Sequence, residues 1–195
     1  METRRLISLL ACIASVPAFA ALQAGANAPQ FTTQASLAGK PFTFSLKDAL
    51  AKGPVVVYFY PSAYTKGCDL QAHTFAVNKD KFTAAGATII GVSLDSIQRL
   101  NDFSADPEYC AGKFPTASDA DGSIAKSYDL KVQQGPAGLK DVRGVEIGHA
   151  FVERTTFVLA KDGKIAETIT GVAPDKNVEQ ALAAVEHLGK PKAGG

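Results

Sequence analysis

Two apolar runs, VVVYFY at 55–60 and ATIIGV at 87–92, constrain what this chain can fold into more than any other feature. Each is rich in β-branched and aromatic or aliphatic residues, as a strand buried on both faces requires. Between them, over 68–85, Ala72, Phe75, Ala76 and Phe82 recur near helical spacing, while Asn78, Lys79, Asp80 and Lys81 occupy the outer side. Strand, helix, strand makes a βαβ unit, so the two strands lie parallel in one sheet.

The rest of the chain adds to that unit. Asp95 or Ser96 can cap a second helix that runs to about 105, and Pro107 stops it. Asp121-Gly122 is a turn, followed by a short helix over 123–128. Residues 133–148 hold four glycines and one proline and read as a long loop. Two strands, 151–160 and 164–170, are joined by the hairpin signal Lys161-Asp162-Gly163. Asp175 opens a last helix with Val178, Leu182, Val185 and Leu188 on one face. The expected fold is α/β and thioredoxin-like, a mixed central sheet with helices on both faces. Its domain spans 41–189, with 21–40 an extended lead-in and 190–195 a disordered tail. Sheets of this kind place ligand sites beyond the carboxyl ends of their parallel strands. The stretch PSAYTKGC at 61–68 stands at such an end.

Residues 1–20 read as a secretion signal: Arg4 and Arg5 form the charged region, 6–16 the apolar core, and Ala18-Phe19-Ala20 the small-x-small cleavage site. That core is too short to span a bilayer. The expectation is export, to the periplasm, with cleavage near Ala20. Thr3-Arg4-Arg5 leaves a twin-arginine route open beside the general one, and the segment ending at Cys12 offers a short lipoprotein box as the alternative. Cleavage leaves 18 basic residues (20 less two) against 18 acidic (19 less one). A near-neutral chain without a basic run gives no reason to expect nucleic acid or a membrane surface as partner. Cleavage also leaves Cys68 and Cys110 as the only thiols, a pair able to form a disulfide in an oxidising compartment. His73, His149 and His187 stand beside no cysteine pair and give no zinc spacing.

A cysteine at the start of a helix lies where unpaired N–H groups and the positive end of the dipole favour a thiolate. The alternative is a small buried apolar residue. A thiolate by itself is a modest advantage. Lowering a thiol pKa from about 8.5 to about 6 raises the thiolate fraction roughly thirtyfold at neutral pH but costs about tenfold in intrinsic nucleophilicity. A fast cysteine enzyme therefore also needs preorganised donors for its leaving group.

PSAYTKGC resembles the Pro-x-x-x-Thr-x-x-Cys signature of the peroxiredoxins. Arg154-Thr155-Thr156-Phe157, followed by Asp162-Gly163-Lys164, resembles the strand that carries their conserved arginine. Tyr58-Phe59-Tyr60 before the motif and Gln71 after it look most like the Q type, also called bacterioferritin comigratory protein; the resemblance runs from about 28 to 188. It implies a thiol-dependent peroxidase with no metal, haem or flavin cofactor. Cys68 would attack the terminal oxygen of a hydroperoxide and become a sulfenic acid. By the same resemblance Thr65 would bond the peroxide and thiolate, Arg154 would hold the thiolate and donate to the peroxide, and Pro61 would shield the sulfur. The Gly67 and Cys68 amides would add donors. Read singly, Thr65 is a helix cap, Arg154 an ion-pair partner of Glu153, and Pro61 a strand stop.

The chain departs from the type in its resolving cysteine and in the 133–148 loop, which is longer than usual for the type. Many Q-type enzymes carry a resolving cysteine five residues after the nucleophile, where this chain has His73, expected to be a polar-face or packing residue of its helix and not a base. Cys110 is the remaining candidate to resolve the sulfenic acid. It lies roughly 15 Å along a helix running away from the site, so pairing requires local unwinding. Without it the enzyme would use one cysteine and an external thiol. The implied reductant is thioredoxin-like or another thiol, and the implied state a monomer or weak dimer. Two other readings of the fold are a disulfide carrier, disfavoured because no Cys-x-x-Cys is present, and a binding module stapled by a Cys68–Cys110 disulfide.

Overall fold

The structure is a computed structural model and describes residues 21–190; the expected signal segment 1–20, with Cys12, and tail residues 191–195 lie outside the described residues. Three parallel strands form the centre of the sheet: β3 (Val55–Phe59), β4 (Thr88–Ser93) and β5 (Thr116–Ser118). Seven strands line up in the order β2-β1-β5-β4-β3-β8-β9. The outer members are β1 (Thr32–Leu37), β2 (Lys40–Ser45), β8 (Thr155–Leu159) and β9 (Ile165–Thr170), all joined antiparallel. Five helices cover the sheet: α1 (Leu46–Lys52), α2 (Lys66–Ala84), α3 (Ile97–Ala105), α4 (Ser123–Ser127) and α5 (Pro174–Leu188). The mixed thioredoxin-like α/β architecture expected from the sequence is the one observed.

The period-two alternation of β3 builds both faces at once. Val55, Val57 and Phe59 point into a core closed by α1 and α4 through Leu46, Leu50, Ile124 and Ala125. Val56, Tyr58 and Tyr60 point into the other, closed by α2, α3 and α5 through Phe75, Phe103 and Val178. Gly91 faces Tyr58 across the β3–β4 pair, and a Cβ there would meet Tyr58 Cζ at 2.6 Å. The glycine inside this apolar run is what lets the Tyr58 ring lie flat and stack on Phe75 at 4.6 Å.

Three details depart from the expectations. The lead-in 21–40 contains β1, paired with both β2 and β5. Its hairpin turns on Ala38 and Gly39, both at positive φ (50° and 78°), and an alanine in that conformation is not a turn signal a sequence displays. The strand expected over 151–160 divides: β7 (Phe151–Val152) pairs with β6 (Val132–Gln133) in a separate ribbon, and the main-sheet strand β8 begins at Thr155. Glu153 and Arg154 fill the break, which frees the Arg154 side chain from the alternation of either strand. Within the expected loop 133–148, residues 139–147 fold back on themselves: Ile147 N–H donates to Leu139 C=O at 2.8 Å and Lys140 bridges Glu146.

Candidate functional site

The register of the sheet builds the site. Phe59 at the end of β3 pairs with Thr155 at the start of β8, so Tyr60 and the loop after it meet Arg154 at one edge. The chain then runs through 61–65 into α2. Thr65 holds the N-cap position, and its carbonyl accepts from the Cys68 and Asp69 amides at 2.8 Å each. Its side chain makes no cap; Oγ1 donates to Ser62 C=O at 2.9 Å. A hydroxyl whose proton is committed in this way presents its lone pairs to an incoming O–H.

Cys68 lies in the first turn of α2 and is 1 % exposed. Arg154 Nη2 donates to its Sγ at 3.3 Å, while Nη1 donates to Gln71 Oε1. Arg154 is therefore a partner of the sulfur and not of Glu153, whose carboxylate accepts from the Lys131 amide at 2.9 Å. Gly67 is the reason the guanidinium can come so close: a Cβ there would stand 3.2 Å from Nη2. Pro61 is half-buried at the head of the loop.

Gln71 was readable from the sequence, but its support was not. Gln71 Nε2 donates to Asn177 Oδ1 at 2.9 Å, Thr156 Oγ1 donates to the same oxygen at 2.5 Å, and Asn177 Nδ2 donates to Ile169 C=O at 3.3 Å. Gln71, Thr156 and Asn177 are fully buried, so this chain of bonds fixes the guanidinium plane from three elements. The one signal available was a polar residue on the buried stripe of α5 that Asn177 shares with Ala181 and Val185.

Cys110 is a free thiol, as is Cys68, and both sit in the same core cluster. Cys110 is 0 % exposed; burial pushes its thiol well up, and the nearby Asp106 and Asp69 carboxylates push it further. His73 is exposed on α2, where its Nδ1 lies 2.9 Å from Glu108 C=O, touching the turn that carries Cys110. Among the described residues no group of three or more His, Cys, Asp or Glu side chains is arranged to hold a metal, and no helix is long and apolar enough to cross a membrane.

The sheet, and a buried thiol under a doubly held arginine at its edge, define a thioredoxin-fold protein with a thiol site. The AhpC/TSA family profile matches residues 24–168, which include every residue of that site except Ile169 and Asn177. Peroxiredoxin Bcp of Xanthomonas campestris is 31% identical over 132 residues, 68% of this chain and 76% of that protein. The crystal structure of peroxidoxin BcpB from Mycobacterium tuberculosis superposes with a TM-score of 0.67 at 28% identity, over 85% of this chain and 97% of that one. A structure of the X. campestris bacterioferritin comigratory protein, described for its alkyl peroxide reduction activity, superposes at 0.63 with 30% identity, over 80% and 92% of the two chains. The chain belongs to the AhpC/TSA family and, within it, is a peroxiredoxin of the bacterioferritin comigratory kind. It is a thiol-dependent peroxidase, taking a peroxide as substrate and a thiol as reductant.

Proposed function

We propose that Cys68 is the thiol that reduces hydrogen peroxide and organic hydroperoxides, and that Arg154, Thr65 and Pro61 complete its site. The observation that carries this reading is the Arg154 Nη2 to Cys68 Sγ contact of 3.3 Å in the first turn of α2. The Cys68 thiolate attacks the terminal oxygen of the hydroperoxide; an S–O bond forms as the O–O bond breaks. The departing alkoxide or hydroxide takes up a proton and leaves as alcohol or water, and the sulfur becomes a sulfenic acid. Arg154 donates to the oxygens on which charge develops. The Thr65 hydroxyl, its proton on Ser62, accepts from the peroxide O–H. Pro61 keeps bulk water from the sulfur, and the Gly67 and Cys68 amides contribute further donors.

Cys110 is proposed to resolve the intermediate: its thiol displaces water from the Cys68 sulfenic acid, giving a disulfide that a thioredoxin-like dithiol reduces back to two thiols. The burial that holds the Cys110 thiol protonated means that the turn around it must open first. The same burial favours a second reading, in which Cys110 stays idle and an external thiol reduces the sulfenic acid directly. The protein acts as a monomer or weak dimer, exported to the periplasm after cleavage near Ala20; the amino terminus of the secreted product tests the cleavage.

Stopped-flow reaction of the reduced protein with hydrogen peroxide, with intact-mass analysis of wild type and Cys110→Ser, tests the chemistry. Fast loss of the Cys68 thiol, and a disulfide absent from the variant, is the expected result. A sulfenic acid that persists in both proteins selects the one-cysteine reading. A Cys68 thiol no faster than free cysteine overturns the assignment.

A further inference from the structure

The folded-back segment 134–150 meets the body of the protein through the polar contacts of Asp141, Val142, Arg143 and His149 as well as through Ile147 and Ala150. Only Asp141 and Ile147 within it are buried. Between it and α3 a cleft of about 680 Å³ remains, walled by Leu94, Arg99 and Asp102 on one side and Val145 and Ile147 on the other. Charge dominates the polar contacts. Arg99 Nη2 pairs with Asp141 Oδ2 at 2.8 Å, and Arg143 reaches the same oxygen at 3.1 Å. At the far end His149 Nε2 meets Asp95 Oδ1 at 2.8 Å.

These attachments converge on the loop that precedes Cys68. Val142 N–H donates to Tyr64 C=O at 2.9 Å, and the Arg143 guanidinium carbon lies 3.3 Å from the Tyr64 ring centroid. Asp95 accepts from Ser62 Oγ at 3.0 Å and from the Ala63 amide at 2.8 Å, and Arg99 Nη2 donates to Ala63 C=O at 2.8 Å. Ser62, Ala63 and Tyr64 are thus gripped one after another. Tyr64 needs it: its φ of 60° is a left-handed conformation that is strained for a bulky residue. The next carbonyl, that of Thr65, receives the Cys68 amide.

His149 is the pin whose charge can change. Its Nε2 faces the Asp95 carboxylate and its Nδ1 faces Ala150 C=O at 2.8 Å; both partners only accept, so both nitrogens carry protons. Ser62 Oγ stands 3.4 Å from Nε2 but spends its proton on Asp95 and is fully buried, so the trio is no nucleophilic triad. The groups facing the imidazolium are Asp95 and Arg99 at the β4–α3 end, Ser62 from the catalytic loop, and the edge-on Phe151 ring from β7. Burial pushes His149 down, but the bond and charge of Asp95 and the Ala150 carbonyl outweigh it and hold it above the ordinary histidine value.

We propose that segment 134–150 is a strap that holds the catalytic loop in its strained form, and that the His149 imidazolium is a positioning residue that pins the strap to Asp95. This inference rests on the assignment of Cys68 as the peroxidase thiol. With the pin charged, Ser62 to Tyr64 are fixed and the first turn of α2 keeps its geometry. With the pin neutral, the ring's one remaining N–H can serve Asp95 or the Ala150 carbonyl but not both and the charge pair is gone, so the strap loosens and Tyr64 can relax.

The test compares wild type, His149→Gln and His149→Lys over pH 5.5–9. Misplacing a reacting group by about 1 Å costs on the order of a hundredfold in rate. His149→Gln should therefore reduce peroxide roughly ten- to a hundredfold more slowly than wild type at the acid end, the gap closing as pH rises. His149→Lys, which restores a cation, should recover most of the rate. A gap that does not change with pH, or no gap, overturns the proposal. In wild type, NMR should show the Ala63 and Val142 amide signals moving with the His149 ring titration; amides that ignore it overturn the proposal even if the variants do not fold. Loss of activity in Cys68→Ser checks the underlying assignment separately, and the NMR result stands or falls without it.

Discussion

Arg154→Lys separates charge from geometry at the site. Nη2 lies 3.3 Å from Cys68 Sγ, where a full charge pair at an effective dielectric near 20 is worth about 5 kcal/mol before the solvent screening of a half-buried arginine reduces it. A lysine ammonium at the same distance keeps most of that attraction. It is one compact group on a flexible stem, however, and cannot bond Sγ and Gln71 Oε1 together as the guanidinium does. A preorganised donor aimed at developing charge contributes about 10²–10³-fold in rate. Arg154→Lys should therefore still be alkylated by iodoacetamide at close to the wild-type rate, because the thiolate keeps its counter-charge. Its reaction with hydrogen peroxide should fall roughly a hundredfold. Arg154→Met should lose both. Stopped-flow peroxide consumption and iodoacetamide trapping at one pH provide the comparison. A lysine variant that reduces peroxide within about threefold of wild type, under about 1 kcal/mol of barrier, would show that charge alone suffices and refute the argument from the fork.

Asn177→Leu leaves Gln71 Nε2, Thr156 Oγ1 and Ile169 C=O without their partner; thermal unfolding should show a loss of stability, and peroxide reduction should slow by about tenfold through the misplaced guanidinium. Gly91→Ala drives a methyl into the Tyr58 ring and should cost about 1–3 kcal/mol in denaturant unfolding, whereas an unchanged midpoint would mean that the sheet yields more easily than a close-packed core does. Burial pushes the Asp69 carboxyl up to about 7, so between about 4, where the unfolded group titrates, and about 7 the folded state binds the extra proton and stability falls as pH rises. Asp69→Asn should remove that fall: close to wild type below about pH 4, where both folded and unfolded carboxyls are protonated, and more stable at pH 8 by urea unfolding, with a gap of the same size at both pH values contradicting it.

What the sequence determined by itself is what short-range physics controls. The β-branched run at 55–60, the apolar spacing of Phe75 and Phe82, and Ser96 before the second helix each select a local conformation that their neighbours do not override. The reactive stretch was legible for the same reason, since 61–68 and Gln71 lie within three turns of chain at one strand–helix junction. The tertiary structure decided which distant groups meet there. Arg154 reaches a sulfur 86 positions away because β3 and β8 pair in one register and the break at Glu153 and Arg154 sets it beside the loop after β3. Asn177 supports Gln71 across 106 positions, and His149 meets Asp95 across 54, through contacts that no periodicity encodes. The strand β1 is hidden in the sequence for a related reason: Thr32–Leu37 carries little strand signal of its own, and its two neighbours in the sheet provide the hydrogen bonds that make it one.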